Sequence, residues 1–133
     1  GLKKFNDENI DIRTFFAPNH TYDFNTFKAL KSCGIKEIID GYGVMPYVEN
    51  EIKFIPQLFY KIYALPFGIQ STQIHLNYWE EKDFNNFENF IQNNYKKIIT
   101  YDQALNKVNN NIFFSFIKII IINLLKIKRR LKK

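Results

Sequence analysis

The chain has 133 residues, which is enough for one domain with a hydrophobic core and too few for two domains of ordinary size. Its single cysteine, Cys33, excludes an internal disulfide and a zinc site built from cysteines. The net charge of +6 is contributed by the last eight residues, KIKRRLKK. This placement argues against a basic nucleic-acid-binding groove, and we expect no nucleic-acid partner.

A strand, a loop and a helix are predicted first along the chain. IRTFF, residues 12–16, is β-prone and is followed by a proline, which fits a strand that runs into a loop. FNTFKALKSC, residues 24–33, carries apolar side chains at helical spacing, with Asp23 as a good N-cap and Gly34 as a stop. Cys33 lies in this helical pattern and is expected to be a buried structural thiol.

Three further strands are predicted. KEIID, residues 36–40, is the second short strand. Residues 51–66 have no clean period, and there we predict only a brief extended piece, IKFI. FGIQSTQIHL, residues 67–76, and KKIIT, residues 96–100, are predicted as the next two strands.

Helices are predicted after both of these later strands. One begins at Glu80 and carries aromatic and apolar side chains at helical spacing, and YDQAL forms the next. Strands that alternate with helices or long loops imply a parallel sheet with crossover connections. The predicted fold class is therefore α/β.

The candidate site residues follow the ends of these strands, where open parallel sheets collect their ligands. His20 follows the first strand, Asp40 ends the second and His75 ends the third. His75 can act as a general acid or base near neutral pH, or as a metal ligand, and Asp40 can orient its imidazole. Structural explanations stay open: His75 as a hydrogen-bonded histidine in a strand mouth, and Asp40 as a residue of an Asp-Gly turn.

Aromatic side chains lie near the presumed strand ends and could stack on sugar rings. Tyr42 and Trp79 are the candidates for this role. Most other aromatic residues of the chain are expected to belong to the core.

Three blocks in this order resemble the C-terminal half of polysaccharide-deacetylase-like proteins, the NodB-homology group of carbohydrate esterases. They are FFAPNHTYDFNTFKALKSCGIKEIIDG, FIPQLFY and PFGIQSTQIHLNYW, within roughly residues 10–105. The resemblance implies that residues 1–105 are part of a deformed (β/α) barrel, in which a divalent metal such as zinc activates water to deacetylate an amino sugar. It also implies that His75 is the general acid and that Asp40 tunes it, with Pro18 and His20 lining the sugar groove.

The chain departs from the family pattern in two ways. The arginine that usually precedes the family's proline is replaced by Ala17. The family's paired aspartates and metal-binding histidines belong to an N-terminal half that this chain lacks, so the metal ligands are expected mostly outside it. We therefore expect this chain to be an incomplete hydrolase, or alternatively a non-catalytic carbohydrate-binding or membrane-associated remnant.

The last part of the chain, residues 106–133, is predicted to form a polar break and a basic amphipathic helix. The apolar run 112–127 would be about 24 Å long as a helix, short of a hydrocarbon core of about 30 Å, and Lys118 interrupts it. Residues 112–133 are therefore expected to lie on an anionic membrane surface or to pack on the domain. No signal segment follows Gly1, which favours a cytoplasmic or peripheral membrane location.

Overall fold

A computed structural model describes residues 1–58 and 62–131 and shows a mixed α/β fold. The helices are α1 (Leu2–Asp7), α2 (Phe24–Ser32), α3 (Glu81–Asn94), α4 (Tyr101–Leu105) and α5 (Ile112–Arg130). The strands are β1 (Thr14–Phe15), β2 (Glu37–Ile39), β3 (Tyr47–Glu49) and β4 (Ile52–Ile55). Short 3₁₀ turns cover Pro18–His20, Leu76–Tyr78 and Tyr95–Lys97.

The four strands form one sheet in the order β1-β2-β4-β3. The first three strands are parallel, with Phe15 opposite Ile38 and Ile38 opposite Phe54, whereas β3 pairs with β4 in the antiparallel direction. The predicted strands at 12–16 and 36–40 and the extended piece IKFI are confirmed. The sheet brings the carboxyl ends of β1, β2 and β4 to one edge.

Strands β3 and β4 form a hairpin that the sequence pattern did not indicate. Its two connecting residues, Asn50 and Glu51, have φ angles of 50° and 63°. Positive φ at both central residues is the geometry of a type I′ turn, which matches the twist of the flanking strands. Because Glu51 stands where glycine usually follows asparagine, the local turn signal was weak.

Helix α2 forms where it was predicted because both of its ends are encoded locally. The Asp23 carboxylate accepts a hydrogen bond from the Thr26 backbone, and the Thr26 hydroxyl accepts one from the Asp23 backbone, so that the pair forms a capping box. The predicted N-cap is confirmed. The prediction for Cys33 is wrong, since it lies at the C-cap and is exposed.

Helices pack on both faces of the sheet. One face carries the main core, which consists of the buried residues Phe27, Leu30, Ile35, Ile38, Tyr47, Ile52 and Phe54. On the other face, Ile55 of β4 packs against Ala104 and Leu105 of α4. The Tyr101 hydroxyl adds hydrogen bonds to Thr14 and Glu37, which fix α4 to the first two strands.

The strands predicted at 67–76 and 96–100 are not formed. Ile69 and Ser71 donate their amide hydrogens to the carbonyls of Val44 and Pro56 in neighbouring loops, so this segment bonds irregularly rather than along a strand. Gly68 has a φ of 93° and packs against the Val44 carbonyl, where a Cβ atom would clash. In the second segment Thr100 serves as the N-cap of α4, which confirms the helix predicted there and leaves no length for a strand.

Helices α3 and α5 lie where they were predicted, and both α5 and the segment just before it contact the hairpin region. The Asn109 amide donates to the Pro46 carbonyl at 2.8 Å, and the Asn110 side chain accepts from the Val48 amide at 2.9 Å. Lys118 forms an ion pair with Glu49. In the described part of the chain, none of the helices has the length and apolarity that crossing a membrane requires.

Candidate functional site at the carboxyl edge of the sheet

A histidine and an aspartate meet at the carboxyl ends of the first two strands. The Nδ1 atom of His20, which follows β1, lies 2.9 Å from Oδ1 of Asp40, which follows β2. The same oxygen accepts a hydrogen bond of 2.6 Å from the Gly41 amide. Asp40 is 3% exposed, and its own amide donates to Ile55 at the end of β4. The carboxylate is therefore held rigidly against the sheet and orients the imidazole.

The turn that carries His20 is held in an uncommon backbone conformation. Both Asn19 and His20 have a φ of 54°, in the left-handed region, which is uncommon for non-glycine residues although asparagine and histidine adopt it more readily than most. Pro18 begins this 3₁₀ turn, and the ring of Phe16 meets the imidazole edge-on at 5.3 Å. Such strain costs on the order of 1 kcal/mol or more per residue and concentrates at functional sites. The strained turn thus places the His20 ring over Asp40.

Two buried polar atoms at this edge have no hydrogen-bond partner within the described structure. They are Oδ2 of Asp40, an acceptor, and Nε2 of Gln57, a donor. The two residues lie at neighbouring strand ends, because the Gln57 amide donates to the Gly41 carbonyl at 3.1 Å. An unsatisfied buried polar group costs about 1–3 kcal/mol, so a pair of them calls for an explanation. A buried water molecule or a ligand hydroxyl or amide, each of which both donates and accepts, would satisfy such atoms.

Tyrosine hydroxyls surround Gly41 next to the carboxylate. Gly41 has a φ of 95°, and a Cβ atom there would clash with the Tyr47 hydroxyl and come within 3.4 Å of that of Tyr22. Burial, together with the negative charge of Asp40, raises the pKa of Tyr22 well above its usual range. Burial chiefly raises the pKa of Tyr47 in the same way, with smaller contributions from Tyr22 and from nearby carboxylates. Both tyrosines are therefore neutral hydroxyls that can donate hydrogen bonds.

The predicted site residues do not all come together. His20, Asp40, Pro18 and Tyr42 share this edge, with Tyr42 two residues beyond Asp40 and half-buried. His75 is exposed and its ring faces that of Tyr78 at 6.5 Å. No hydrogen bond or ion pair links it to Asp40 in the part of the chain that the structure describes.

Trp79 ends the 3₁₀ turn Leu76–Tyr78, two residues before α3, rather than lying at a strand end. Its ring packs edge-on against Phe84 at 5.2 Å and against Phe87 at 5.4 Å.

Gln57 lies just after the carboxyl end of a parallel strand, which is where the sequence analysis looked for site residues, but it was not among the predicted ones. If IKFI had been recognised as the third parallel strand, Gln57 would have been predicted as a site residue, because it follows the carboxyl end of that strand.

The residues of this edge do not form a metal centre by themselves. Among the described residues, no three or more His, Cys, Asp or Glu side chains lie close enough together to hold an ion. His20 and Asp40 supply two such groups, and Gln57 and the tyrosines are uncharged. The edge therefore does not provide a complete ligand set for a divalent metal.

No family model, curated protein or solved structure matches the chain. What the site can do follows from its own geometry. A buried carboxylate that is hydrogen-bonded to one ring nitrogen of a histidine fixes the orientation and the tautomer of the ring. The other ring nitrogen can then exchange a proton with a bound molecule, which is general acid–base chemistry.

Proposed function

We propose that this chain is part of a polysaccharide-deacetylase-like hydrolase that removes acetyl groups from amino sugars. In this proposal His20 exchanges the proton and Asp40 positions it, within the C-terminal portion of a deformed (β/α) barrel. The hydrogen bond of 2.9 Å between His20 and Asp40 at the carboxyl edge of the sheet is the observation that carries the proposal. The resemblance of residues 10–105 to this family supports the choice of substrate class.

The proposed role of His20 is to transfer a proton to the leaving amine. Breaking an amide bond yields an amine that must be protonated as it departs, and imidazole exchanges protons readily near neutral pH. In this proposal Asp40 holds Nδ1, and Nε2 faces the sugar nitrogen. Asp40 keeps the ring in one tautomer and one orientation.

The residues around this pair would bind the sugar. Gln57 Nε2 and Asp40 Oδ2 are shielded from solvent, so a sugar hydroxyl or the acetamido group would reach them only after the surrounding side chains rearrange. Tyr42 and Pro18, on the turns that follow β2 and β1, would line the groove. A divalent metal such as zinc, when bound, would supply the activated water, and we propose that its ligands lie mostly outside the described residues.

The family resemblance assigned the acid to His75, and the geometry favours His20. Asp40 has one imidazole within hydrogen-bonding distance, and it is that of His20. His20 is also the more protected, with 18% of its side chain exposed, which suits a group that works away from bulk water. The assignment to His75 stays a prediction that the same experiment tests.

The test compares His20→Ala, His75→Ala and Asp40→Asn in the complete gene product that contains this chain. Acetate released from N-acetylglucosamine oligomers measures the activity, and the thermal unfolding midpoint controls for folding. We expect His20→Ala to lower kcat by about 100-fold or more, and His75→Ala to have little effect. Asp40→Asn should lower kcat and alter its pH profile, because the ring loses its orienting charge.

Undiminished turnover in His20→Ala would remove the proposed role. If His75→Ala alone abolished turnover, the acid would be His75, as the resemblance implies.

A second candidate, a non-catalytic carbohydrate-binding remnant, is favoured by one observation. The described residues offer unpartnered polar atoms and tyrosine hydroxyls at the site but no complete metal-ligand set. Calorimetric titration with N-acetylglucosamine oligomers, together with elemental analysis, separates the two. Sugar binding by a protein that has no stoichiometric metal and releases no acetate would favour this second candidate.

A further inference from the structure

Helix α5 presents an apolar surface to solvent along its whole length. We define its outer face as the side chains that are between 42% and 86% exposed: Ile112, Phe113, Phe116, Ile119, Ile120, Leu124 and Ile127. Spacings of three and four residues place these side chains on one side of the helix. Ser115 and Asn123 are exposed polar neighbours on the same helix. So many large apolar side chains together on a surface indicate an interaction site.

The opposite side of α5 faces the domain and contains the charge that interrupts the apolar run. Lys118 forms an ion pair of 2.5 Å with Glu49, and its ammonium group lies 3.9 Å from the centre of the Tyr47 ring. These contacts direct Lys118 inwards and neutralise its charge. The outer face therefore carries no charge between Ile112 and Leu124, although the sequence contains a lysine in the middle of this run, and Asn123 is the polar residue within it.

The last turns of α5 add positive charge next to the outer face. Lys126, Lys128 and Arg130 are exposed, and the whole net charge of the chain lies in residues 126–133. A helix with an exposed apolar side and a basic end suits the boundary between lipid headgroups and acyl chains. We propose that α5 docks the domain on an anionic lipid surface, with its outer face inserted and its basic end among the headgroups.

A second copy of the chain is the main alternative occupant, and the charges argue against it. The sequence from 103 to 133 contains no aspartate or glutamate. Two outer faces pressed together, in either direction, would therefore offer no countercharge to the basic ends. An anionic bilayer offers it, and each lysine or arginine near such a surface strengthens binding by roughly fivefold.

The test is co-flotation of the intact chain with vesicles of phosphatidylcholine, alone or mixed with phosphatidylserine. We expect binding to the mixed vesicles, and at least a tenfold loss of binding in the double variant Phe116→Gln, Leu124→Gln. Phe24→Gln is the matched control, because Phe24 of α2 is as exposed as Phe116, at 61%, but lies outside the outer face. It should bind like the unchanged chain.

A second variant tests the basic end. Lys126→Gln, Lys128→Gln, Arg130→Gln should lose most of the preference for phosphatidylserine and most of the salt sensitivity of binding. Lys3→Gln, Lys4→Gln on α1 is its control. The proposal is overturned if the unchanged chain does not bind the mixed vesicles, or if the outer-face variant binds as well as Phe24→Gln. It is also overturned if light scattering shows a dimer that the outer-face variant converts to a monomer.

Discussion

Asp40 is a charged residue at a position where burial is nearly complete. It is tolerated because its Oδ1 atom accepts a hydrogen bond from the Gly41 amide and is hydrogen-bonded to Nδ1 of His20. Its backbone amide also donates to the Ile55 carbonyl of β4. The second oxygen is left without a partner, so the structure stabilises this carboxylate only in part. A buried water molecule or a bound ligand would satisfy this oxygen, and the two partners lead to different predictions.

Gln57 allows this interpretation to be tested through stability. Its side chain is buried and its amide nitrogen has no hydrogen-bond partner within the described structure. Gln57→Met therefore removes the free-energy cost of an unsatisfied polar group and keeps a side chain of similar volume. We expect the free energy of unfolding to rise by about 1 kcal/mol, measured by urea denaturation followed by circular dichroism. Sugar affinity should fall in the same variant if the nitrogen binds the ligand.

Gln70→Met is the matched control for this prediction. The Gln70 side chain is half-buried, and its amide donates to the Gly43 carbonyl at 2.8 Å and accepts from the Leu58 amide at 3.2 Å. Its replacement should therefore lower the free energy of unfolding by about 1 kcal/mol or more. A fall in stability for both variants would mean that the Gln57 amide is satisfied in solution.

At the level of whole elements, local signals decided what could be predicted. Helix α2 was found because Asp23, Thr26 and Gly34 define its ends within twelve consecutive residues. The hairpin of β3 and β4 was missed because its turn lacks a glycine. The strand predicted at 67–76 failed because its partners are loop carbonyls far away in the sequence, which no local pattern encodes.

In the candidate site, too, features set by neighbouring residues could be predicted and features set by distant contacts could not. That His20 and Asp40 follow strands could be predicted from turn residues and β-prone runs. Which imidazole meets Asp40 depends on the order of strands in the sheet, and β1 lies beside β2. The segment that carries His75 forms no strand, so the sequence pattern placed His75 at an edge that it does not join.

The cap of α2 makes a prediction about pH. Hydrogen bonds from Thr26 hold the pKa of Asp23 below its ordinary value of 3.8. A carboxyl group whose pKa is lowered by folding contributes stability above its unfolded pKa and loses that contribution as pH falls through the folded pKa. Acidification below about pH 4 should therefore destabilise the unchanged chain more than Asp23→Asn, which caps without titrating.

Urea denaturation at about pH 6 and about pH 3 measures this difference. Asp11→Asn, at an exposed position outside any helix, serves as the control and should follow the unchanged chain at both pH values. Identical acid sensitivity of Asp23→Asn and the unchanged chain would show that the cap contributes nothing through its charge.

At the scale of the whole molecule, the chain exposes more surface than its mass predicts. Its solvent-accessible area is 10221 Å². A compact monomer of 16.0 kDa is expected to expose about 7,400 Å². Part of the excess is the outer face of α5, and α3 adds to it, since none of its residues is buried. These two helices are thus surfaces that the domain itself does not cover.

This uneven burial predicts uneven local stability. Ile38 of β2 and Phe54 of β4 are fully buried, so their amides should exchange with deuterium only in nearly global unfolding. Helix α3 packs Phe87 and Phe90 against the wall of a cavity of about 310 Å³ without burying either completely. We expect the amides of α3 to exchange at least tenfold faster than those of β4, as read by mass spectrometry of native-state exchange. Equal protection of α3 and β4 would contradict this and would mean that in solution another surface covers the helix.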